Sequence, residues 1–201
     1  MNGNGQKKSN KTLCLVLFVV VLLVLWVFSG YNGMVDRQEQ ATTELANVQT
    51  QYQRRADMMP QLAKIVKAYA AHEKETFAEV TKARAAASKI KLDANNLTEQ
   101  KLKEYTAAQG ELATAFSKLM VVAERYPELK ASENFKALQV QEEGTENRIS
   151  EARRKYNDAV QNYNKTVRKM PNALIAGIFN FTVMPKFEAA AGAEKTPDLD
   201  I

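Results

Sequence analysis

From Leu13 to Phe28 the chain reads LCLVLFVVVLLVLWVF, sixteen apolar residues without a polar interruption, and Thr12, Ser29 and Gly30 extend the stretch to nineteen that hydrocarbon tolerates. A helix crossing a bilayer needs about 20 mostly apolar residues, and inside lipid a helix satisfies every backbone polar group within its own segment. Residues 12–30 are therefore predicted to form a transmembrane helix whose partner is the lipid bilayer. Trp26, Phe28 and Tyr31 at its C-terminal end suit the aromatic belt of a membrane interface. The competing reading is a cleaved secretory signal, with Lys7, Lys8 and Lys11 as its basic region and Val27-Phe28-Ser29 as its cleavage site. The apolar run exceeds the roughly 7–15 residues usual for such signals, so a retained anchor is expected. Cys14 stands at the start of the run rather than after it, which argues against lipoprotein processing.

Flanking basic residues set the orientation of a span. Three lysines precede it, and only Arg37 is basic in the twenty residues that follow. Residues 1–11 are expected to be a basic cytoplasmic tail, and everything after Gly30 to lie on the extracytoplasmic side of a cell membrane crossed once. All 23 acidic residues follow Gly30, against 25 of the 28 basic ones, so the body is close to neutral. Its charges are mixed in sign along every segment, as on a solvated surface, and form no basic stripe of the kind that tracks a nucleic-acid backbone. No nucleic acid is expected as a partner. The single cysteine excludes an intramolecular disulfide and any cysteine metal cluster.

From Met34 to about Met170 apolar residues return every three or four positions, a spacing near 3.5 that marks the seams of long helices packed at shallow angles. Four stretches carry it: 34–59, 62–87, 102–126 and 135–170. Asp93, Asn95 and Asn96 supply turn chemistry before a helix capped by Thr98 or Asn96, and Pro127 stops a helix before Ser132 caps the next. Pro171 ends the last long helix. Pro60 is compatible with a kink or with the first turn of a new helix; a turn is favoured, because it gives four comparable helices able to close in up-down order. The expected fold class is thus all-α: an N-terminal transmembrane helix followed by an antiparallel four-helix bundle of long helices over residues 31–181. The short apolar run Leu174–Phe181 is expected to fold back on the bundle end, with membrane or partner contact as alternatives. Residues 182–201, rich in small residues, proline and acid, are expected to be disordered.

Constellations that carry chemistry are missing from the sequence. His72 is the lone histidine, and position 76 is threonine where a zinc-binding HExxH motif needs a second imidazole. A di-iron bundle needs two Glu-x-x-His motifs. No glycine pattern cradles a phosphate, and no serine sits on a nucleophile elbow. No catalytic, cofactor-binding or metal-ligating residue is assigned, and no enzyme activity is expected. Four polar residues, Gln38, Arg55, Glu73 and Glu142, fall at seam positions where a core residue is due; such residues specify register or pair across a bundle, or line a polar interior site. Tyr156 and Tyr163 lie seven apart on one helix face, each followed by asparagine, and are read first as packing and second as recognition. The basic clusters Arg54-Arg55 and Arg153-Arg154-Lys155 are expected to pair with surface glutamates rather than bind an anion.

Several segments in order resemble the LemA family of bacterial membrane proteins: Tyr31-Asn32 after the span, YQRRADMMPQL at 52–62, VKAYAAHE at 66–73, Ala83-Arg84, ERYPELKASENF at 124–135, ENRI at 146–149, ARRKYNDAVQNYN at 152–164 and PNALIAG at 171–177. Gly144, inside the fourth helix, departs from that pattern and is expected to mark a bend. The resemblance implies a single-span protein with a four-helix body and supplies no catalytic residue to carry over. A non-enzymatic, membrane-anchored scaffold or protein-interaction module of the bacterial cell envelope is the leading expectation, its partners being unidentified membrane or envelope proteins or further copies of the chain. The alternative is a transmembrane sensor or signal relay acting through a cytoplasmic partner.

Overall fold

A computed structural model describes residues 4–188, and every described element is helical: α1 (Asn4–Tyr69), α2 (Lys74–Lys89), a 3₁₀ turn (Ala94–Asn96), α3 (Glu99–Glu124), α4 (Pro127–Ala131), α5 (Glu133–Arg168) and α6 (Asn172–Ile178). Residues 1–3 and 189–201, the outer parts of the two expected tails, lie outside the described residues.

Helix α1 carries both the apolar run and the first long helix of the body. Among the described residues it is the one helix long and apolar enough to cross a membrane, and its apolar window is wholly uncovered by the rest of the chain. From Met34 onward the same helix buries one stripe, including Ala41, Leu45, Val48, Tyr52, Met59, Leu62 and Val66. It does not turn at Pro60. The helix continues to Tyr69, and the reversal comes at residues 70–73. Proline lacks the N–H that would bond the carbonyl four residues back. That carbonyl belongs to Ala56, and Arg84 on α2 donates Nε to it at 3.0 Å. A donor from the neighbouring helix thus replaces the missing helical bond, which permits proline inside α1.

The remaining boundaries follow local chemistry. The Thr98 hydroxyl accepts from the N–H of Lys101 (3.2 Å) and starts α3, and the Ser132 hydroxyl accepts from that of Phe135 (3.3 Å) and starts α5. Pro127 occupies the first turn of α4. Helix α5 runs unbroken through Gly144. Helices α1, α2, α3 and α5 alternate in direction and form the antiparallel bundle, with α1 against α5 as the most extensive pairing and α2 against α3 next. Helix α2 has 16 residues and α5 has 36, so the α2–α3 hairpin covers only the part of the α1–α5 pair distant from the apolar run.

The half next to the apolar run is completed by the chain's C-terminal part. Helix α6 packs against α1 where the apolar run meets the body: a Cβ placed on Gly30 would come 2.6 Å from Ile175 Cδ1, and Tyr31 stacks edge-on against Phe179 and Phe181. The exit from α6 is a Schellman turn. Asn180 takes a left-handed φ of 57°, and the Phe181 N–H bonds the Ala176 carbonyl at 3.0 Å. Residues 182–188 then run extended along α5 as a strap, in contrast to the disorder expected for 182–201. Their hydrogen bonds to α5 are the physical reason, and composition gave no hint of them.

Candidate functional site

The body has two apolar clusters. One, nearer the apolar run, contains Tyr52, Tyr105 and Ile149; the other contains Ala56, Leu112 and Leu138. Between them lies a polar layer drawn from three helices: Arg55 of α1, Gln109 of α3, and Glu142, Thr145 and Glu146 of α5. Arg55 is 3% exposed. Its Nη1 pairs with the Glu146 carboxylate, and its Nη2 donates to the Gln109 backbone carbonyl at 2.8 Å and to Gln109 Oε1 at 3.4 Å. The guanidinium lies 5.1 Å from the centre of the Tyr52 ring, which stacks edge-on against Tyr105 at 5.4 Å. The Gln109 amide in turn donates to the Ala87 carbonyl at 3.4 Å, one of the end carbonyls that α2 leaves unpaired. One guanidinium therefore ties α1, α3 and α5 together and reaches α2 through Gln109.

The layer is not fully satisfied. Arg55 Nε and Glu142 Oε2 are buried without a hydrogen-bond partner. Burial pushes the Glu142 carboxyl up to about 7, the neighbouring Glu146 charge adds to the shift, and Arg55 opposes it. Glu142 thus changes charge near neutral pH inside the bundle. Burial likewise raises the Tyr52 and Tyr105 hydroxyls. The hydroxyl of Thr145 is spent on the Gln141 carbonyl at 2.8 Å.

Beside this layer a cleft of about 460 Å³ opens between α3 and α5. Tyr52, Leu102 and Ile149 make its apolar wall, Lys103 and Arg153 sit at its edge, and Phe187 and Glu188 of the strap close one end. The strap is held by a repeated device. Asn164 Nδ2 donates to the Met184 carbonyl (2.8 Å) while its Oδ1 accepts from the Met184 N–H (2.9 Å). Asn157 does the same to Phe187, at 2.9 Å in both directions. The Tyr163 hydroxyl donates to the Thr182 carbonyl (2.9 Å) and the Tyr156 hydroxyl to that of Pro185 (2.8 Å). Seven helical residues rise about 10.5 Å, and three extended residues span about 9–10 Å, so each heptad of α5 meets the same three-residue unit of the strap. Every one of these bonds goes to the strap's main chain. Met184 and Phe187 are buried, and Phe187 lies between the Tyr156 ring and the Arg153 guanidinium.

Of the four polar seam residues, the structure brings two together: Arg55 and Glu142 share the layer. Glu73 sits at the α1–α2 turn and pairs with Arg125 at 2.9 Å, and Gln38 lies half-buried nearer the apolar run, its backbone carbonyl taking the Thr42 hydroxyl. His72 is exposed in the same turn, at the end of the bundle away from the apolar run. Arg154 and Lys155 pair with Glu151, whereas Arg153 turns into the cleft and donates to the Glu188 carbonyl at 2.7 Å. Gln109 and Glu146 were not picked out from the sequence, because a glutamine and a glutamate among many surface ones carry no periodic signal. Among the described residues the cleft gathers hydrogen-bond donors, carboxyls and apolar walls, a set suited to holding a chain segment.

A sequence model of the LemA family matches residues 44–200. Among curated proteins, the magnetosome protein MamQ of Magnetospirillum gryphiswaldense is 26% identical over 202 residues, covering 90% of this chain and 71% of that protein. The magnetosome proteins MamQ 2 and MamQ 1 of Paramagnetospirillum magneticum are each 25% identical over 194 residues, covering 88% of this chain and 71% of theirs.

Proposed function

The chain belongs to the LemA family, and from that membership together with the open cleft we propose that it is a non-enzymatic, membrane-anchored helical interaction module of the bacterial cell envelope, which docks extended segments of other envelope proteins between α3 and α5. The observation that carries the reading is the strap: α5 already holds one extended segment through main-chain bonds from two Tyr-Asn pairs, and among the described residues the cleft continues along α5 beyond Glu188 to Ile149 and Glu146. Main-chain bonding of this type gives affinity, while flanking pockets select side chains. The apolar wall and the edge charges of both signs, Lys103 and Arg153 with Glu99 and Glu146, favour a segment of mixed charge with an apolar anchor. Tethering to the membrane confines the body with other membrane-bound proteins and raises their effective concentration. The basic residues before the span support an arrangement with the N-terminus in the cytoplasm and the body outside it.

Photo-crosslinking in intact bacteria tests the docking. A crosslinking amino acid replaces Ala107 in the cleft or Val140 on the exposed face of α5, and adducts are mapped by mass spectrometry. The proposal expects defined peptide adducts from position 107 that position 140 does not give. Equal adducts from both positions, or none from 107, would contradict it.

The unbroken α1 favours a second reading, a signal relay. One continuous helix joins the uncovered apolar run to Arg55, so a shift of the polar layer has a stiff element along which to reach the span.

A further inference from the structure

The last turn of the apolar run is where the body begins to cover α1. Large residues from Leu13 to Leu25 keep about half their surface, whereas Val27 is half-buried, Gly30 packs beneath Ile175, and Tyr31 packs against Phe179 and Phe181. Helix α6 is thereby fixed at the level where residues tolerated by hydrocarbon give way to polar ones. Burial of Ile175 and Ala176 holds its inner face. Its outer face is apolar and uncovered: Leu174 is 58% exposed, Ile178 73% and Phe179 47%, flanked by Met170 at 64% and Val183 at 54%. This is a contiguous run on a body whose other large apolar side chains are mostly buried. Isolated exposed apolar residues are ordinary, but a contiguous patch with a polar rim marks a surface meant to be covered. The charge contributed by the end of α5, by α6 and by the strap has one sign. Between Asp158 and Glu188 the chain carries Lys165, Arg168, Lys169 and Lys186 and no acidic residue. Asp36 and Glu39 lie on the facing stretch of α1, on the side away from the span relative to Tyr31.

Resting on the reading of residues 12–30 as a retained span, we propose that α6 is a second membrane-contact element, an interfacial helix that sinks Leu174, Ile178 and Phe179 into the headgroup–acyl boundary beside the span while Arg168 and Lys169 meet anionic headgroups. The occupant is lipid, because the patch is continuous with the span's own lipid-facing surface and is fixed to it through Gly30. An amphipathic segment lying in the interface buries its apolar face about 5–10 Å into that boundary and gains from anionic lipid. With contact at two points, the body stands in one orientation instead of swinging about a single helix.

The test uses the full chain in vesicles of phosphatidylcholine with a minority of phosphatidylglycerol. Single cysteines carry a nitroxide in a Cys14→Ser background: Leu17→Cys in the span, Leu174→Cys and Ile178→Cys on α6, and Val140→Cys on the far part of α5, where the native side chain is 71% exposed. Relaxation by oxygen, which partitions into lipid, is compared with relaxation by a water-soluble nickel chelate. The expected result is nickel accessibility at Leu174→Cys and Ile178→Cys roughly tenfold below that at Val140→Cys, with oxygen accessibility retained, as at a site a few ångströms below the headgroups. Nickel accessibility equal to that at Val140→Cys, with Leu17→Cys protected, would overturn the α6 proposal and leave the anchor intact. Shielding of the α6 sites from both reagents with spin–spin broadening would identify a second copy as the occupant and overturn it too. Exposure of Leu17→Cys to nickel would remove the anchor on which the proposal rests.

Discussion

Replacing Arg84 should weaken the body only as long as residue 60 is proline. Pro60 deprives the Ala56 carbonyl of its helical donor, and Arg84 Nε supplies the substitute at 3.0 Å. Ala56 is 2% exposed, so its carbonyl has little access to water once that donor is gone. Leaving a buried acceptor unpaired costs about 1–3 kcal/mol; the Arg84 side chain is itself partly exposed, which places Arg84→Met near the lower end, about 1–2 kcal/mol. The ion pair of Arg84 with Asp57, at 3.9 Å between two exposed groups, adds at most a few tenths. Pro60→Ala restores the N–H and removes the ring from the helix interior. In that background Arg84→Met should cost only about 0.3 kcal/mol, leaving a coupling of about 1 kcal/mol between residues 60 and 84. Urea denaturation of the full chain in detergent, followed by circular dichroism, measures all four corners of the cycle. Equal costs of Arg84→Met in the proline and alanine backgrounds would refute the substitution of one donor for the other.

Glu142 makes stability fall with rising pH. Its folded value of about 7 lies above its ordinary 4.5, so the folded protein holds the proton across that window and the unfolded chain does not. The contribution is present below about 4.5 and lost as pH rises to about 7, up to roughly 3 kcal/mol for a shift of that size; unfolding of wild type and Glu142→Gln at pH 5 and pH 8 should show the variant losing less. Arg55→Ala leaves the Gln109 carbonyl unpaired and the layer unfilled and should cost about 2–5 kcal/mol, whereas Arg55→Met, which keeps most of the packing, should cost clearly less; thermal unfolding ranks them. Asn157→Ala with Asn164→Ala removes four main-chain bonds from the strap, each worth about 1 kcal/mol, and hydrogen exchange at Met184 and Phe187 should accelerate at least about tenfold while that of Leu112 stays unchanged.

The parts of the fold that rest on a period were legible in the sequence. The apolar run, the seam near 3.5 and the caps at Thr98 and Ser132 needed only local rules. Pro60 misled because the donor that lets the helix continue comes from Arg84, which is 24 positions away in the chain and invisible to any local rule. The strap was missed for a related reason. Phe181, Met184 and Phe187 recur every third residue, a period that belongs to extended chain winding along a surface rather than to a helix or a sheet strand. Composition, with its alanines, glycine and proline, pointed to disorder instead. The matching half of that signal was in view, since the Tyr156-Asn157 and Tyr163-Asn164 repeat was noted, but its meaning depends on the three-residue unit opposite. In the polar layer Arg55 and Glu142 stood out because they interrupt an apolar seam. Their partners Gln109 and Glu146 interrupt nothing and are defined only by where four helices meet.

The claim on which the rest depends is that a retained N-terminal helix holds the body at the outer face of the membrane. Tags at each end of the chain, expressed in intact bacterial cells and challenged with a protease confined outside the inner membrane, test it directly. The expected result is loss of the C-terminal tag alone, with the body still membrane-bound after a high-salt wash. Protection of the C-terminal tag, or release of the body as soluble protein, would contradict it.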